Sequence, residues 1–363
     1  MNLSTCGGLN GLRAIAALAV VISHISLDLE KFGLDALFKD AGNKPKGILL
    51  ASYGVSIFFT LSGFLITYLL LKEKEKLSEI NIKKFYIRRV LRIWPLYYLY
   101  FFVCMGTYFI FRTFIELNII PFYVFLLANI PIIINVMLPY MGHLWSIGVE
   151  EQFYLFWPWM VKNHNRKLLR NAIIFVFLFL MLKVLFFGIS YKLGYTIPLI
   201  AISVTRFHLM VIGCIAAILF YNNSKLIGYF LNLKTQIASW LILMLAALNI
   251  FHISSLVDHE ILAVVTVMII LSQITRKNYL IDLDNKVLNL IGKISYGIYV
   301  IHPLLIFLLS KLIKFEHSTF LNYGLIYSVI IASTLLVSYT SYNLYEKRFI
   351  KLKSTFAIVK SSA

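Results

Sequence analysis

Three cysteines, eight prolines and sixteen acidic residues are all that this chain of 363 residues carries of those kinds. Cys6, Cys104 and Cys214 share no short spacing, and two of them sit in apolar runs. Neither a disulfide framework nor a cysteine-rich metal site is therefore expected. Charge of either sign is scarce: 14% of residues are Asp, Glu, Lys or Arg, while 60% are apolar. A soluble domain is about a quarter charged and about half apolar, which excludes an ordinary soluble globule. A basic leader is missing too, and the small residues of "AIAALAV" lie inside the first apolar run. That run reads as an uncleaved span rather than a signal peptide.

What is abundant is base. The formal charge is +18. In a soluble protein this would suggest nucleic acid; in a membrane chain lysines and arginines mark cytoplasmic loops, and no nucleic-acid partner is expected. Apolar stretches of about 17 to 25 residues can cross a bilayer. They fall near 12–29, 48–71, 93–112, 143–161, 171–190, 198–220, 235–251, 258–275, 294–312 and 321–343. A further stretch, 117–139, is broken by Pro121, Asn129, Pro131, Asn135 and Pro139 and reads as re-entrant or interfacial. Ten spans put the basic runs at 72–92, 162–170, 276–293 and 347–360 on one side, with both termini cytoplasmic; eleven would break that asymmetry. The expectation is an all-α, polytopic integral membrane protein, a single domain over 1–363. No internal repeat, linker or appended soluble domain is visible.

Ionisable residues inside such spans point to function. "GLRAIAALAVVISH" carries Arg13 and His24. Eleven steps of 100° fall within about 20° of three whole turns, so both share one helix face, about 16 Å apart along the axis. They cannot touch, but they can line one groove at two depths. "SIFFTLSGFLITYLL" places Ser62 and Gly63 mid-span, where small residues allow close helix approach. "RRVLRIWPLYYLY" groups Arg88, Arg89 and Arg92 at a helix end. They suit phosphates of a nucleotide-containing donor or of lipid headgroups, or serve as a positive-inside anchor with an aromatic belt. "GHLWSIGVEEQFYLFWP" sets Glu150 and Glu151 about two turns into a span, able to orient His24 or to fix a substrate hydroxyl. Arg206 and His208 interrupt the sixth span, with Arg206 a partner for the acid pair. His143, His164, His252 and His259 lack metal-ligand spacing and read as ordinary. Tyr296 and His302 lie in the ninth span, and Glu346 beside Lys347 and Arg348 reads as a terminal ion-pair anchor.

Taken in order, "LNGLRAIAALAVVISH", "FFTLSGFLIT", "RRVLRIWPLYY", "HLWSIGVEEQFYLFWP", "TRFHLMVIG", "ISYGIYVIHPLL" and "YNLYEKRF" resemble the blocks of the membrane-bound acyltransferase family 3, over residues 8 to 350. The resemblance implies an O-acyltransferase of the bacterial inner membrane. Cytoplasmic acyl-CoA, acetyl-CoA above all, would be its co-substrate, with no bound cofactor or metal. The acceptor would be a hydroxyl of a cell-surface or lipid-linked carbohydrate such as a polysaccharide or lipopolysaccharide. By position Arg13 and His24 match the pair regarded as catalytic in the family, Arg89 and Arg92 its cytoplasmic arginine pair, and Glu150 and Glu151 its acidic block. The expected site is therefore Arg13, His24, Glu150 and Glu151 as catalytic residues and Arg88, Arg89 and Arg92 as donor-binding ones, with Ser62, Trp145, Ser146, Arg206, Tyr296 and His302 expected to bind substrate. Asn10 and Ser56 stand where the family often has aspartate, and His208 where an acid is common. A glycan exporter is the rival reading, though such transporters show two related halves.

Overall fold

The computed structural model describes residues 8–37, 39, 49–163 and 167–358; Cys6, His164 and Arg166 lie outside them. Among the described residues every regular element is helical. The chain runs through α1 (Gly8–Leu27), α2 (Leu50–Leu77) and α3 (Ile82–Ile110), then two short helices, α4 (Ile120–Val124) and α5 (Asn129–Ile133). There follow α6 (Trp145–Asn163), α7 (Leu168–Leu193), α8 (Ile197–Thr205), α9 (Phe207–Tyr221), α10 (Leu226–Phe230), α11 (Leu233–Ala247) and α12 (Asp258–Thr275). The last elements are α13 (Lys286–Lys293), α14 (Ser295–Leu312), α15 (Phe320–Ser341) and, past one π-helical turn at Tyr342–Glu346, α16 (Lys347–Thr355).

All ten expected spans are helical. Among the described residues eight helices are long and apolar enough to cross a membrane, with Ile197–Tyr221 and Phe320–Thr355 each counted once. The other two are α11, apolar but only 15 residues long, and α6, which carries Glu150, Glu151 and Lys162 along its length. This is a multi-pass membrane protein. Burial orders the bundle: the most apolar stretch of α2 is 72% buried and that of α7 only 11%, so α2 is central and α7 turns its apolar surface to lipid.

Two departures from the expected spans bear on the site. The sixth span is broken at Arg206, whose left-handed φ of 42° separates α8 from α9, and the Arg206 Nε donates to the Ser203 carbonyl at 2.5 Å. The 117–139 stretch forms no spanning helix: its short helices α4 and α5 are interrupted by positive φ at Leu126 and Asn135. Backbone that is not helical must find partners at membrane depth. Here α3 supplies them: Tyr97 donates to the Tyr123 carbonyl and Tyr98 to that of Val124, both at 2.8 Å. Tyr100 reaches the Tyr140 carbonyl at 2.7 Å, and Tyr108 donates to that of Pro139. These tyrosines hold the re-entrant segment, and the aromatic-belt reading of "YYLY" is corrected accordingly.

Small residues at mid-span do bring helices close. A Cβ on Gly63 would lie 1.9 Å from the Met210 carbonyl oxygen, and one on Gly213 would lie 2.0 Å from that of Thr60. Backbone cannot yield as a side-chain tip can, so Gly213→Leu is expected to cost about 1–3 kcal/mol or more. A lowered unfolding midpoint of the detergent-purified variant checks this; an unchanged midpoint would show that α2 and α9 can part freely.

Candidate active site

The central helices line a partly open cavity. Its wall carries four cationic side chains, Arg13, Arg89, Arg92 and Lys353, against one carboxylate, Glu150. Arg13 comes from the second turn of α1, where its Nη1 donates to Asn10 Oδ1 at 2.8 Å. Asn10 stands where an aspartate would have neutralised the guanidinium. Its neutral amide orients Arg13 and leaves the positive charge for a ligand. Arg89 and Arg92, one turn apart on α3, share a face. Arg89 lies over the rings of Phe85 and Tyr154, 5.6 and 5.5 Å from their centroids, and Arg92 lies 6.0 Å from that of Tyr296. The buried Arg89 Nε has no hydrogen-bond partner among the described residues. Four cations around one concave space have the charge to attract a polyanion.

Arg88 does not join them. Its Nη2 pairs with Glu73 Oε2 at 2.8 Å and its Nη1 donates to the Phe356 carbonyl at 3.0 Å. Successive helix residues diverge by 100°, so the expected fan of three guanidiniums becomes a pair plus a structural ion bridge. The same divergence splits the acids. Glu150 lines the cavity beside the Ser62–Tyr154 hydroxyl pair, 2.7 Å apart, whereas Glu151 turns towards α3 and accepts from Trp94 Nε1 at 2.9 Å.

Of the expected substrate-binding side chains, Ser62, Ser146 and Tyr296 line the cavity. Trp145 does not: it packs edge-on against Phe59 and under Arg206. Arg206 reaches Ser52 Oγ at 3.0 Å and meets no member of the acid pair. His208 bonds Glu260, which also pairs with Lys183 at 2.7 Å, so α12 supplies the carboxylate absent from position 208. Ser56 and His259 bond each other at 3.1 Å, and His252 pairs with Asp258. Glu346 is buried with Ser341 Oγ as its partner at 3.3 Å rather than paired with Lys347 or Arg348.

His24 stands towards the other end of α1 from Arg13 and, unlike Arg13, does not line the cavity, so the two do not share one wall as expected; nor is its partner an acid. His24 Nδ1 lies 2.6 Å from Nε2 of the fully buried His302, the two rings within 15° of parallel and meeting edge to edge. The protons can be assigned from one fixed point. His302 Nδ1 faces the Ile298 carbonyl at 2.9 Å, and a carbonyl only accepts. Nδ1 of neutral His302 therefore carries the proton and Nε2 is an acceptor. His24 must then donate from Nδ1, which leaves its Nε2 with a free lone pair. His302 is thus a partner of His24, not part of the cavity wall.

Tyr299 joins the two regions. It lines the cavity, its ring lies 6.2 Å from that of His302, and its hydroxyl donates to the His143 carbonyl at 2.6 Å while Ser146 donates to it at 2.7 Å. His143, read as ordinary, packs 5.4 Å from His302. Tyr299 was legible in principle: Tyr296, Tyr299 and His302 follow one another at three-residue steps. Nothing in its immediate sequence singles out His143 or Lys353.

Comparison with known proteins adds the following. A family described as an acyltransferase domain matches residues 7–343. The O-acetyltransferase OatA of Staphylococcus aureus strain NCTC 8325 is 26% identical over 372 residues, covering 93% of this chain and 56% of that protein. The peptidoglycan O-acetyltransferase OatA of Listeria monocytogenes is 33% identical over 165 residues, 41% of this chain and 23% of that protein. The chain spans little more than half the length of the Staphylococcus relatives it matches. No solved structure matches it.

Proposed function

The chain belongs to this acyltransferase family, and from that premise we propose that it is an O-acyltransferase moving an acyl group, acetyl in the first place, from acyl-CoA to a hydroxyl of a cell-surface or lipid-linked carbohydrate. The observation that carries this reading is the pairing of two stations on one helix. Arg13 stands in a cation-lined cavity, and His24 holds a lone pair at Nε2 towards the other end. The names of both relatives support O-acetyl transfer, and peptidoglycan is the acceptor named for the Listeria protein.

In this scheme Arg89, Arg92 and Arg13 hold the donor phosphates, while Glu150 and the Ser62–Tyr154 pair bind the polar pantetheine arm. The thioester reaches past Tyr299 to His24. His24 Nε2 takes the proton of the acceptor hydroxyl as its oxygen attacks the thioester carbonyl. The carbon–sulfur bond breaks, the thiolate leaves, and the proton passes to it, giving ester and free CoA. His302 holds the tautomer in which His24 can act, as a carboxylate does for the histidine of a hydrolytic triad. The basic loops support a donor entrance on the cytoplasmic side of a bacterial inner membrane.

The test is the ester content of surface glycans by mass spectrometry, with and without the gene. Loss of acyl esters on deletion, restored by wild type and not by His24→Ala, is the expected result. Unchanged esters on deletion would remove the assignment, and esters restored by His24→Ala would remove the role of His24.

A further inference from the structure

The family match ends at residue 343, before α16 begins. That helix nevertheless contributes to the cavity wall, through Lys353. Lys353 also lines a second, much smaller recess, which shares Ile66, Leu69 and Arg89 with the large cavity. The two spaces thus adjoin, and Arg89 and Lys353 are the cations common to both.

The recess holds one further basic and one acidic side chain, Arg88 and Glu73, and these neutralise each other at 2.8 Å. The same Arg88 donates to the Phe356 carbonyl, while Glu73 Oε1 accepts the Asn81 amide at 3.0 Å. This fastens the end of α16 to the junction of α2 and α3. The helix enters from the π-helical turn at Tyr342–Glu346, whose Glu346 is buried. A helix anchored at both ends presents its lysine at a defined place.

We propose that Lys353 is a donor-binding residue, which with Arg89 grips a phosphate of the acyl donor where the two cavities meet. The inference rests on the acyl-CoA reading given above and extends it to a residue outside the family match. A CoA donor carries a diphosphate and a separate ribose phosphate, and Lys353 adds a fourth cation to Arg13, Arg89 and Arg92 around the space that would hold them. A compact ammonium on a flexible stem suits a single phosphate oxygen, whereas the arginines act as forks.

The experiment uses the whole chain in nanodiscs. It compares acetyl-CoA with S-acetylpantetheine, which has the same thioester and no phosphate. Losing one charge-assisted bond to a phosphate corresponds to a KM for acetyl-CoA about 10-fold higher in Lys353→Gln. The KM for S-acetylpantetheine stays unchanged, and Lys353→Arg recovers most of the loss. Because Lys353 is only half-buried, the glutamine variant keeps its fold, which an unchanged unfolding midpoint verifies. If the acetyl-CoA KM is unaltered in Lys353→Gln but rises in Arg89→Gln, the donor reading stands and the role of Lys353 is overturned. Equal changes with both donors overturn it as well, since Lys353 then acts on a lipid phosphate or on the fold. Failure of the wild-type protein to use or bind acetyl-CoA removes the donor reading and this inference together.

Discussion

His24→Ala is expected to lower acyl transfer by about 10²–10⁴-fold, the usual contribution of a positioned general base, with little change in donor KM. The side chain is half-buried in the last turn of a helix whose packing rests on its leucines, valines and alanines, so the variant should fold. His302 makes the prediction specific. Its replacement by phenylalanine removes the acceptor that keeps the proton on His24 Nδ1, and turnover should fall with the His24 side chain still present. His302→Gln offers an amide oxygen at similar reach and should recover part of the rate. A merely structural His302 would not distinguish the two variants by turnover at equal unfolding midpoints. Mass spectrometry of protein quenched with donor alone would show whether His24 Nε2 carries the acyl group covalently, as the same lone pair allows.

The second large effect belongs to Arg89 and Arg92. Each contributes a fork of N–H donors to the cavity, and the Arg89 Nε is buried without a partner among the described residues. Substitution by glutamine at either position should raise donor KM by about 10- to 100-fold, the range for one or two charge-assisted hydrogen bonds, while kcat moves less. Arg88 supplies the contrast. Arg88→Gln leaves the nearly buried Glu73 carboxylate without its ion partner and frees the Phe356 carbonyl, so it should lower the unfolding midpoint. Steady-state kinetics and thermal unfolding on the three variants separate these roles. An Arg89→Gln enzyme with wild-type KM would reduce the cluster to a membrane anchor.

Sequence patterning placed the helices well because lipid imposes one rule on every span. Residue spacing, a local property, put Arg13 and His24 towards opposite ends of one helix, but it did not show that only Arg13 would line the cavity. Partners across helices were a different matter. That Glu150 and Glu151 face apart follows from helix geometry, but which of them meets the cavity depends on the rotation of α6. Arg206 was assigned to the acids and instead reaches Ser52, because the break between α8 and α9 turns it towards the start of α2. The histidine pair joins positions 278 residues apart, and no local pattern encodes that distance. The tyrosines of α3 look like an interfacial belt until the re-entrant segment is in place and its carbonyls need donors.

The central claim is that a donor held at Arg13 is discharged at His24. The most direct measurement is transfer of radiolabelled acetyl from acetyl-CoA to added saccharide by the purified protein in liposomes, wild type beside His24→Ala. The account predicts labelled ester with wild type, and with His24→Ala no label above background although acetyl-CoA still binds. Equal labelling by both proteins would contradict it, as would wild type that binds the donor and never transfers the label.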